Sequence, residues 1–141
     1  MYIRELAIGD KENGFFETLE SLSSCEGLTI GDAERLFKDI LNDKKYHIYV
    51  AIIDEEIVGT ATVLIEQKFI HNGGKVAHIE DVVTRKNYKR KGVGSALVKK
   101  LIEVAKEQGC YKVILNCSVN NKLFYSKLGF AEHGIEMRMN L

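Results

Sequence analysis

The 141-residue sequence contains no proline, and it shows no internal repeat and no low-complexity tract. Linkers between domains are commonly exposed segments rich in proline, glycine or polar residues, and no segment of this chain has that character. A chain of this length fits one domain and can bury a sizeable core. The sequence therefore predicts a single domain over residues 1–141.

The chain also lacks net charge, because 20 Lys and Arg residues balance 20 Asp and Glu residues. This balance argues against a general nucleic-acid binder, so any cationic patch must be local. Apolar runs are too short to span a membrane. The first ten residues, MYIRELAIGD, lack the apolar core of a signal peptide. We therefore expect a cytoplasmic protein with no nucleic-acid and no membrane partner.

Cysteine is scarce as well, with Cys25, Cys110 and Cys117 the three in the chain. They are odd in number and lack metal-type spacing, and no histidine completes a zinc pattern with them. The sequence therefore predicts no metal site and reduced thiols, with Cys110 and Cys117 as small core residues.

Hydrophobic periodicity predicts the element order β-α-α-β-β-β-α-β-α-β. The predicted strands are 2–7, 46–53, 57–70, 75–84, 111–117 and 135–140, and the helices are one capped by Asp10, then 30–42, 93–108 and 120–130. Short polar turns, one of them HNGG (71–74), join the middle three strands into an antiparallel meander. The helix between 75–84 and 111–117 makes those strands a right-handed parallel pair. We predict an α/β domain with a mixed, mainly antiparallel sheet, a central parallel pair and flanking helices.

The segment YKRKGVGSALVKKLIEVA (88–105) places basic residues and two glycines at the start of a helix. Cations are unfavourable there by about a few tenths of a kcal/mol each, whereas an anion is favoured by the free amides and the helix dipole. The segment fits neither the P-loop nor the dinucleotide fingerprint. By itself it leaves open an anion site and an ordinary solvated loop. A nucleic-acid tract is less favoured, because the run leads directly into an apolar helix.

Longer blocks carry a more specific signal. The stretch HIEDVVTRKNYKRKGVGSALVKKLIEVAKEQGCYKVILNCSVNNKLFYSKLGF (78–130) resembles the GNAT superfamily of N-acetyltransferases. The signature of that superfamily is Gln/Arg-x-x-Gly-x-Gly/Ala, followed by an Asn and by Phe-Tyr before Gly-Phe. Within the superfamily, EQKFIHNGGKVAHIEDVV (66–83) is similar to glucosamine-6-phosphate N-acetyltransferases, and FFETLESLSS and GIEMRMN extend the resemblance over nearly the whole chain. The resemblance implies the GNAT fold and acetyl-CoA-dependent acetylation of a small amine, with glucosamine 6-phosphate as the first expectation.

The resemblance also implies which residues hold acetyl-CoA. They are Val82, Val83 and Thr84 along the pantetheine, Lys89, Arg90, Lys91, Gly92, Val93, Gly94 and Ser95 at the pyrophosphate, and Asn121 and Tyr125. Lys89 stands where Gln or Arg is usual, so the planar, forked hydrogen bonding of arginine is lost at that position.

Catalytic and substrate residues follow from the same resemblance. Tyr125 matches a tyrosine that protonates the departing thiolate, and a backbone N–H of Val82 or Val83 would polarise the carbonyl. Glu80 or Asp81 could accept the proton of the amine, and strand geometry predicts that they point to opposite faces. The implied substrate-binding residues are Ser23 or Ser24, Lys68, Phe69, Ile70, His71, Glu80, Asp81, Asn116 and Arg138.

Two positions depart from the family pattern. Asn116 replaces an Asp that family members aim at the amino group, and Asn140 replaces a C-terminal Arg that reaches the phosphate. Arg138, on the same face of the predicted strand, could compensate for the second change. These departures keep open the alternative that the amine is another amino-sugar, a polyamine or a protein amine.

A second alternative is a CoA-binding regulatory module without turnover, against which the intact Tyr125 and the Glu80–Asp81 pair argue. The resemblance further implies a homodimer in which the C-terminal segment IEMRMNL (135–141) is exchanged between subunits. The segment alternates in polarity and follows Gly134, as such an exchanged strand would.

Overall fold

The computed structural model describes residues 1–141, and its centre is one five-stranded sheet in the order β1-β2-β3-β4-β5. The strands are β1 (Tyr2–Glu5), β2 (Tyr46–Ile53), β3 (Glu56–Gln67), β4 (Lys75–Thr84) and β5 (Cys110–Ile114). Neighbours from β1 to β4 are antiparallel, whereas β5 runs parallel to β4. The predicted mixed sheet with one parallel pair is confirmed.

Five α-helices accompany the sheet. They are α1 (Phe15–Leu19), α2 (Ile30–Asn42), α3 (Ile70–Gly73), α4 (Val93–Glu107) and α5 (Lys122–Ser126), with short 3-10 helices at Ile8–Glu12, Lys86–Tyr88 and Val119–Asn121. None of the helices combines the length and the apolar content that a membrane span requires.

The two faces of the sheet carry separate cores, because α4 covers one face and α1 and α2 cover the other. The α4 core joins Val63, Ala77 and Ile79 of the sheet to Leu97 and Leu101 of the helix. The opposite core contains residues from the first half of the chain: Leu6, Phe15, Phe37, Ile48, Val50, Ile52 and Ile57. Alternate residues of a strand thus serve different cores, as the period of two requires.

The start of α2 is set by Thr29, whose hydroxyl accepts a hydrogen bond from the amide of Asp32 at 3.1 Å. Its apolar face brings Phe37 edge-on to Phe15, with ring centroids 5.5 Å apart. The predicted bounds of this helix are confirmed.

Asp10 does not cap α1, contrary to the prediction. The cap is Gly14, in the left-handed conformation at φ 84°. The side chain of Asp10 is buried and accepts hydrogen bonds from Arg4 Nη1 at 2.6 Å, Arg4 Nη2 at 2.7 Å and the Ala7 amide at 2.8 Å. The hydrogen bonds from Arg4 are the main cause that holds the pKa of Asp10 below its ordinary value.

The predicted strand 135–140 is wrong for the single chain, since residues 131–141 form neither helix nor strand. The predicted buried strand 111–117 ends early, at Ile114, and most of its side chains are exposed. A strand needs a hydrogen-bonded neighbour, and β5 has none on its outer edge. Cys117 is consequently exposed and not a core residue, while Cys110 is partly buried.

The strand predicted over 57–70 also ends early, at Gln67, and the turn predicted at 71–74 is the single helical turn α3. Two of its residues, His71 and Asn72, lie in the left-handed region at φ 53° and 56°. Gln67 Nε2 stabilises the turn by donating to the Gly73 carbonyl at 2.6 Å.

Candidate active site

The basic loop, residues 89–94 including the first two residues of α4, leads from β4 into the helix and presents backbone amides without a side-chain cap. Gly92 is the N-cap of α4 at φ 82°, a conformation that favours glycine, and no side chain hydrogen-bonds the first turn. Lys89, Arg90 and Lys91 are exposed, and none of them forms an ion pair. Free amides, a helix dipole and unpaired cations are the features that bind a phosphate group.

The loop touches α5 through Gly94. A β-carbon built on Gly94 would lie 3.4 Å from Cζ of Phe124 and 3.6 Å from Oγ1 of Thr84. The absence of a side chain at this position therefore lets the loop, the end of β4 and α5 come together.

The end of β4 is separated from β5. The last paired residues are His78 and Ile114, and the remainder of β4 has no β5 neighbour. This leaves backbone groups near Val82 and Val83 open on that side of the strand. A ligand lying along this side of β4, beyond its last β5 pair, could hydrogen-bond them.

A β-bulge interrupts β4 on its other side. Glu80 pairs with Thr62 and Val83 with Thr60, so Asp81 and Val82 together face one residue of β3. Asp81 adopts φ 49°, outside the β region. A bulge leaves one residue of the strand unpaired and redirects the side chains that follow.

The bulge changes which residues of β4 face α4. Ala77 and Ile79 belong to the α4 core, and Val82, three residues after Ile79, packs against the same core. The prediction that Glu80 and Asp81 point to opposite faces assumed an unbroken alternation, which the bulge removes. Both carboxylates are exposed, and neither forms an ion pair.

Tyr125 is partly buried on α5. Its ring packs edge-on against Phe124, with centroids 4.8 Å apart, and against Phe130 at 5.9 Å. Burial is the main cause that raises the pKa of the Tyr125 phenol, and the neighbouring Cys117 thiol adds to the rise. A phenol of ordinary pKa is already protonated at neutral pH, and the rise does not change that state. Asn121, one turn earlier in the chain, is exposed.

A cavity of about 810 Å³ lies between β5, α5 and the C-terminal segment. Asn116, Cys117 and Tyr125 line it, together with Ile135 and Glu136 of that segment. No residue of the basic loop lines it, and neither do the two carboxylates of β4. Tyr125 lies between the two regions, because it lines the cavity and contacts the ring that meets the loop.

The predicted phosphate-binding turn lies at the far end of β4. Lys68 pairs with Glu66, whose other oxygen meets His78 Nε2 at 2.7 Å, and the ring of His71 stacks on Tyr111 with centroids 4.3 Å apart. The hydrogen bond from Lys68 is the first cause that lowers the pKa of Glu66.

Substrate residues predicted from the sequence are thus spread over the molecule. β4 begins at Lys75, next to the turn, and Glu80 is five residues further on, or about 17 Å along an extended strand. Ser23 and Ser24 are exposed between α1 and α2, and Arg138, in the C-terminal segment, donates to Asn140 Oδ1 at 2.8 Å. A single chain does not gather all of these residues around one point. The structure contains no cluster of three or more His, Cys, Asp or Glu side chains able to hold a metal ion.

Sequence reasoning missed Arg85 and Phe124. Arg85 is one more cation in a basic run, and nothing local indicates that its side chain reaches residues 67 and 71 positions earlier in the chain. In the sequence, Phe124 is only the Phe of the Phe-Tyr motif that contains Tyr125. Gly94 at the helix start indicates that another group approaches the backbone closely there. The sequence does not show that this group is the Phe124 ring.

We compared the sequence and the fold with those of known proteins. Residues 14–130 match the model of the acetyltransferase (GNAT) family. The chain is 42% identical over 139 residues to a glucosamine 6-phosphate N-acetyltransferase of Arabidopsis thaliana, covering 96% of this chain and 93% of that protein. It is 39% identical to the protein of the same name from Candida albicans, over 95% of this chain and 91% of that one. The crystal structure of the Arabidopsis thaliana enzyme superposes with a TM-score of 0.94 at 39% identity, over 99% of this chain and 97% of that chain.

Proposed function

Because the chain belongs to the acetyltransferase (GNAT) family, we propose that it transfers the acetyl group of acetyl-CoA to the amine of glucosamine 6-phosphate, giving N-acetylglucosamine 6-phosphate. The observation that carries the choice of substrate is the similarity to glucosamine 6-phosphate N-acetyltransferases over 96% of the chain. The family and fold expected from the sequence are confirmed, and the protein is an N-acetyltransferase.

The residues of the basic loop fit the pyrophosphate of the donor. The open amides at Gly92–Gly94 and the cations Lys89–Lys91 provide hydrogen bonds and positive charge at one helix start. The end of β4, Val82 to Thr84, has no partner on the β5 side and there offers backbone groups to the amide-containing pantetheine arm, and the exposed Asn121 completes the set. Acetyl-CoA supplies an activated acetyl thioester at this site.

Backbone and side-chain groups then have distinct tasks. An N–H group at Val82 or Val83, next to the bulge and beyond the last β5 pair, would stabilise negative charge on the carbonyl oxygen, for which one such donor contributes about 3 kcal/mol. Glu80 or Asp81, exposed and without an ion pair, would accept the proton that the ammonium group must lose. Tyr125, a phenol that is protonated at neutral pH, would give its proton to the departing sulfur.

The phosphate of the sugar requires cations, which we assign to the turn Lys68–His71 and to Arg138. Ser23 or Ser24 would contribute a hydroxyl group, and Asn116 an amide facing the amino group. The phosphate-binding turn and Glu80 are about 17 Å apart along β4. We therefore propose that one site takes residues from two chains.

A homodimer would supply the second chain. Ile135, Met137, Met139 and Leu141 alternate along the C-terminal segment and are each more than 80% exposed, and the outer edge of β5 is unpaired. Pairing this segment with a strand of a partner would bury the apolar side chains and satisfy the edge. We propose that the segment is exchanged between the two copies.

We further propose that residues 1–141 form one domain and that the enzyme acts in the cytoplasm. All three cysteines are free, as is usual for proteins kept in a reducing compartment.

One observation favours a different amine. Asn116 lines the cavity next to Tyr125, and an amide at this position carries no charge to orient an ammonium group. A thiol-release assay with acetyl-CoA against amino-sugars with and without phosphate, polyamines and peptide amines tests both candidates. Release with glucosamine 6-phosphate supports the proposal, release only with another amine favours the second candidate, and no release with any amine contradicts both.

A further inference from the structure

The side chain of Arg85 points away from the basic loop that it precedes. Its Nε donates to Thr18 Oγ1 at 2.9 Å, and its Nη2 donates to the Gly14 carbonyl at 2.9 Å. Its Nη1 lies 3.5 Å from Glu56 Oε2, a long contact to a carboxylate that is 63% exposed and therefore of little energetic weight. The principal partners of Arg85 are therefore the first turn of α1.

The two residues that accept hydrogen bonds from Arg85, Gly14 at the cap of α1 and Thr18 within it, are adapted to this guanidinium. A β-carbon at position 14 would lie 2.1 Å from Arg85 Nη2, so only glycine allows the approach. Thr18 is fully buried, and its hydroxyl also lies 2.8 Å from the Gly14 carbonyl and 2.9 Å from the Ile57 carbonyl. Removal of Arg85 would leave hydrogen-bonding groups without their partner at the start of this helix.

The main chain of Arg85 is itself held in place, by hydrogen bonds to β3 and to the turn after β4. Its amide donates to the Val58 carbonyl at 2.8 Å, and its carbonyl accepts from the Tyr88 amide at 2.9 Å, in the turn that leads into the basic loop. On the α1 side, the Ser23 amide donates to the Leu19 carbonyl at 3.1 Å. One residue thus joins the start of the loop to the segment that carries Ser23 and Ser24.

We propose that Arg85 is a positioning residue for the amine acceptor: it holds α1, and with it Ser23 and Ser24, against the end of β4. Its place in the sequence, four residues before Lys89, suggests a contact with the donor, whereas its contacts lie on the acceptor side. The proposal rests on the proposed function, because it assigns Ser23 and Ser24 to the acceptor.

The test compares Arg85→Met with Lys86→Met, a neighbouring variant that removes the same charge from an exposed side chain without an ion pair. Arg85→Met is expected to raise KM for glucosamine 6-phosphate about tenfold, because one lost hydrogen bond to a charged group has an effect of this size. KM for acetyl-CoA should stay within about twofold. Lys86→Met should leave the acceptor KM unchanged. Arg85→Lys, which keeps the charge and one contact, should lie between wild type and Arg85→Met.

Thr18→Val keeps the shape of the side chain but removes the hydroxyl group that accepts from Arg85. This variant is used for the same measurement if Arg85→Met folds poorly. We expect the same selective rise in acceptor KM. The rise in the double variant should be smaller than the product of the two single rises, because both changes remove the same Arg85–Thr18 hydrogen bond. Equal changes in both KM values, a fall in kcat alone, or no change in either KM would overturn the proposal.

Hydrogen exchange separates this proposal from the proposed function. Amides of α1 and Ser23 should exchange faster in Arg85→Met, whereas amides of α4 should not change. Unchanged α1 exchange would overturn the positioning role even if acetyl transfer is observed. If wild type does not acetylate glucosamine 6-phosphate, the proposed substrate fails, and the exchange result still decides whether Arg85 holds α1.

Discussion

Gly94 of the basic loop lies directly against the ring of Phe124, with 3.4 Å between the position of a β-carbon and Cζ. This contact joins two sequence blocks, GVGS (92–95) and LFYSKLGF (123–130). Tyr125, the residue after Phe124, packs against the same ring, with centroids 4.8 Å apart. The proposed donor site and the proposed proton donor are therefore parts of one packed unit.

Tyr125→Phe is expected to lower kcat about 100-fold, since the ring keeps its packing but loses the proton. Affinity for acetyl-CoA should stay within about twofold, because one hydroxyl group is removed from an otherwise intact site. Thiol-release kinetics and calorimetric titration with CoA measure the two effects. Tyr46→Phe, an exposed tyrosine of β2, is the control and should have wild-type kcat. Wild-type turnover in Tyr125→Phe would remove this residue from the mechanism.

Gly92→Val should weaken acetyl-CoA binding more than about tenfold, because a β-branched residue disfavours φ 82° and the amides of the loop would be displaced. Gly109 provides a matched control at the other end of α4, with φ 72° and no atom within 4 Å of a β-carbon. Gly109→Val should lower the melting temperature without changing the affinity for acetyl-CoA. Equal loss of affinity in the two variants would show that backbone strain in general, and not the loop, is responsible.

Asp10→Asn should lower the free energy of unfolding by about 2 kcal/mol at pH 7, since Arg4 then loses a charged acceptor. The pKa of Asp10 is below its ordinary value of 3.8, so the carboxylate contributes stability above about pH 4 and loses that contribution as the pH falls through the folded-state pKa. Urea unfolding should therefore show a smaller difference between variant and wild type at pH 3 than at pH 7. Asp39→Asn, at an exposed position of α2, should differ little from wild type at either pH. A difference that stays constant with pH would contradict the assigned ion pair.

The double change Met137→Asp and Met139→Asp should convert a dimer into a monomer, because charges cannot be buried at the apolar positions of an exchanged strand. Light scattering should give twice the chain mass of 15.9 kDa for wild type and 15.9 kDa for the variant. Glu136→Gln, on the alternate face, should remain dimeric. Wild type at the mass of one chain would reject the dimer and, with it, the shared site.

Elements whose signals are local could be predicted from the sequence. The bounds of α2 follow from the Thr29 cap and its apolar spacing, and the predicted bounds of β4 match the observed strand. The resemblance identified the family because its motifs are short, ordered and spread over the chain. Gly109, the glycine directly after the predicted helix 93–108, has the left-handed conformation expected of a residue after a helix.

Features that depend on distant partners could not be predicted. The alternation over 135–140 is typical of a strand, but a strand forms only where another strand pairs with it. The bulge at Asp81 has no sequence signal, since a period of two does not reveal an extra residue. Asp10 and Arg85 carry charges whose partners, Arg4 and Thr18, are known only from the fold.

The most direct test of the account is the ratio of kcat/KM for glucosamine 6-phosphate to that for glucosamine, measured by thiol release at saturating acetyl-CoA. Charge-assisted contacts to the phosphate should make this ratio at least about 100. A ratio near 1, or turnover with glucosamine alone, would contradict the proposed phosphorylated substrate.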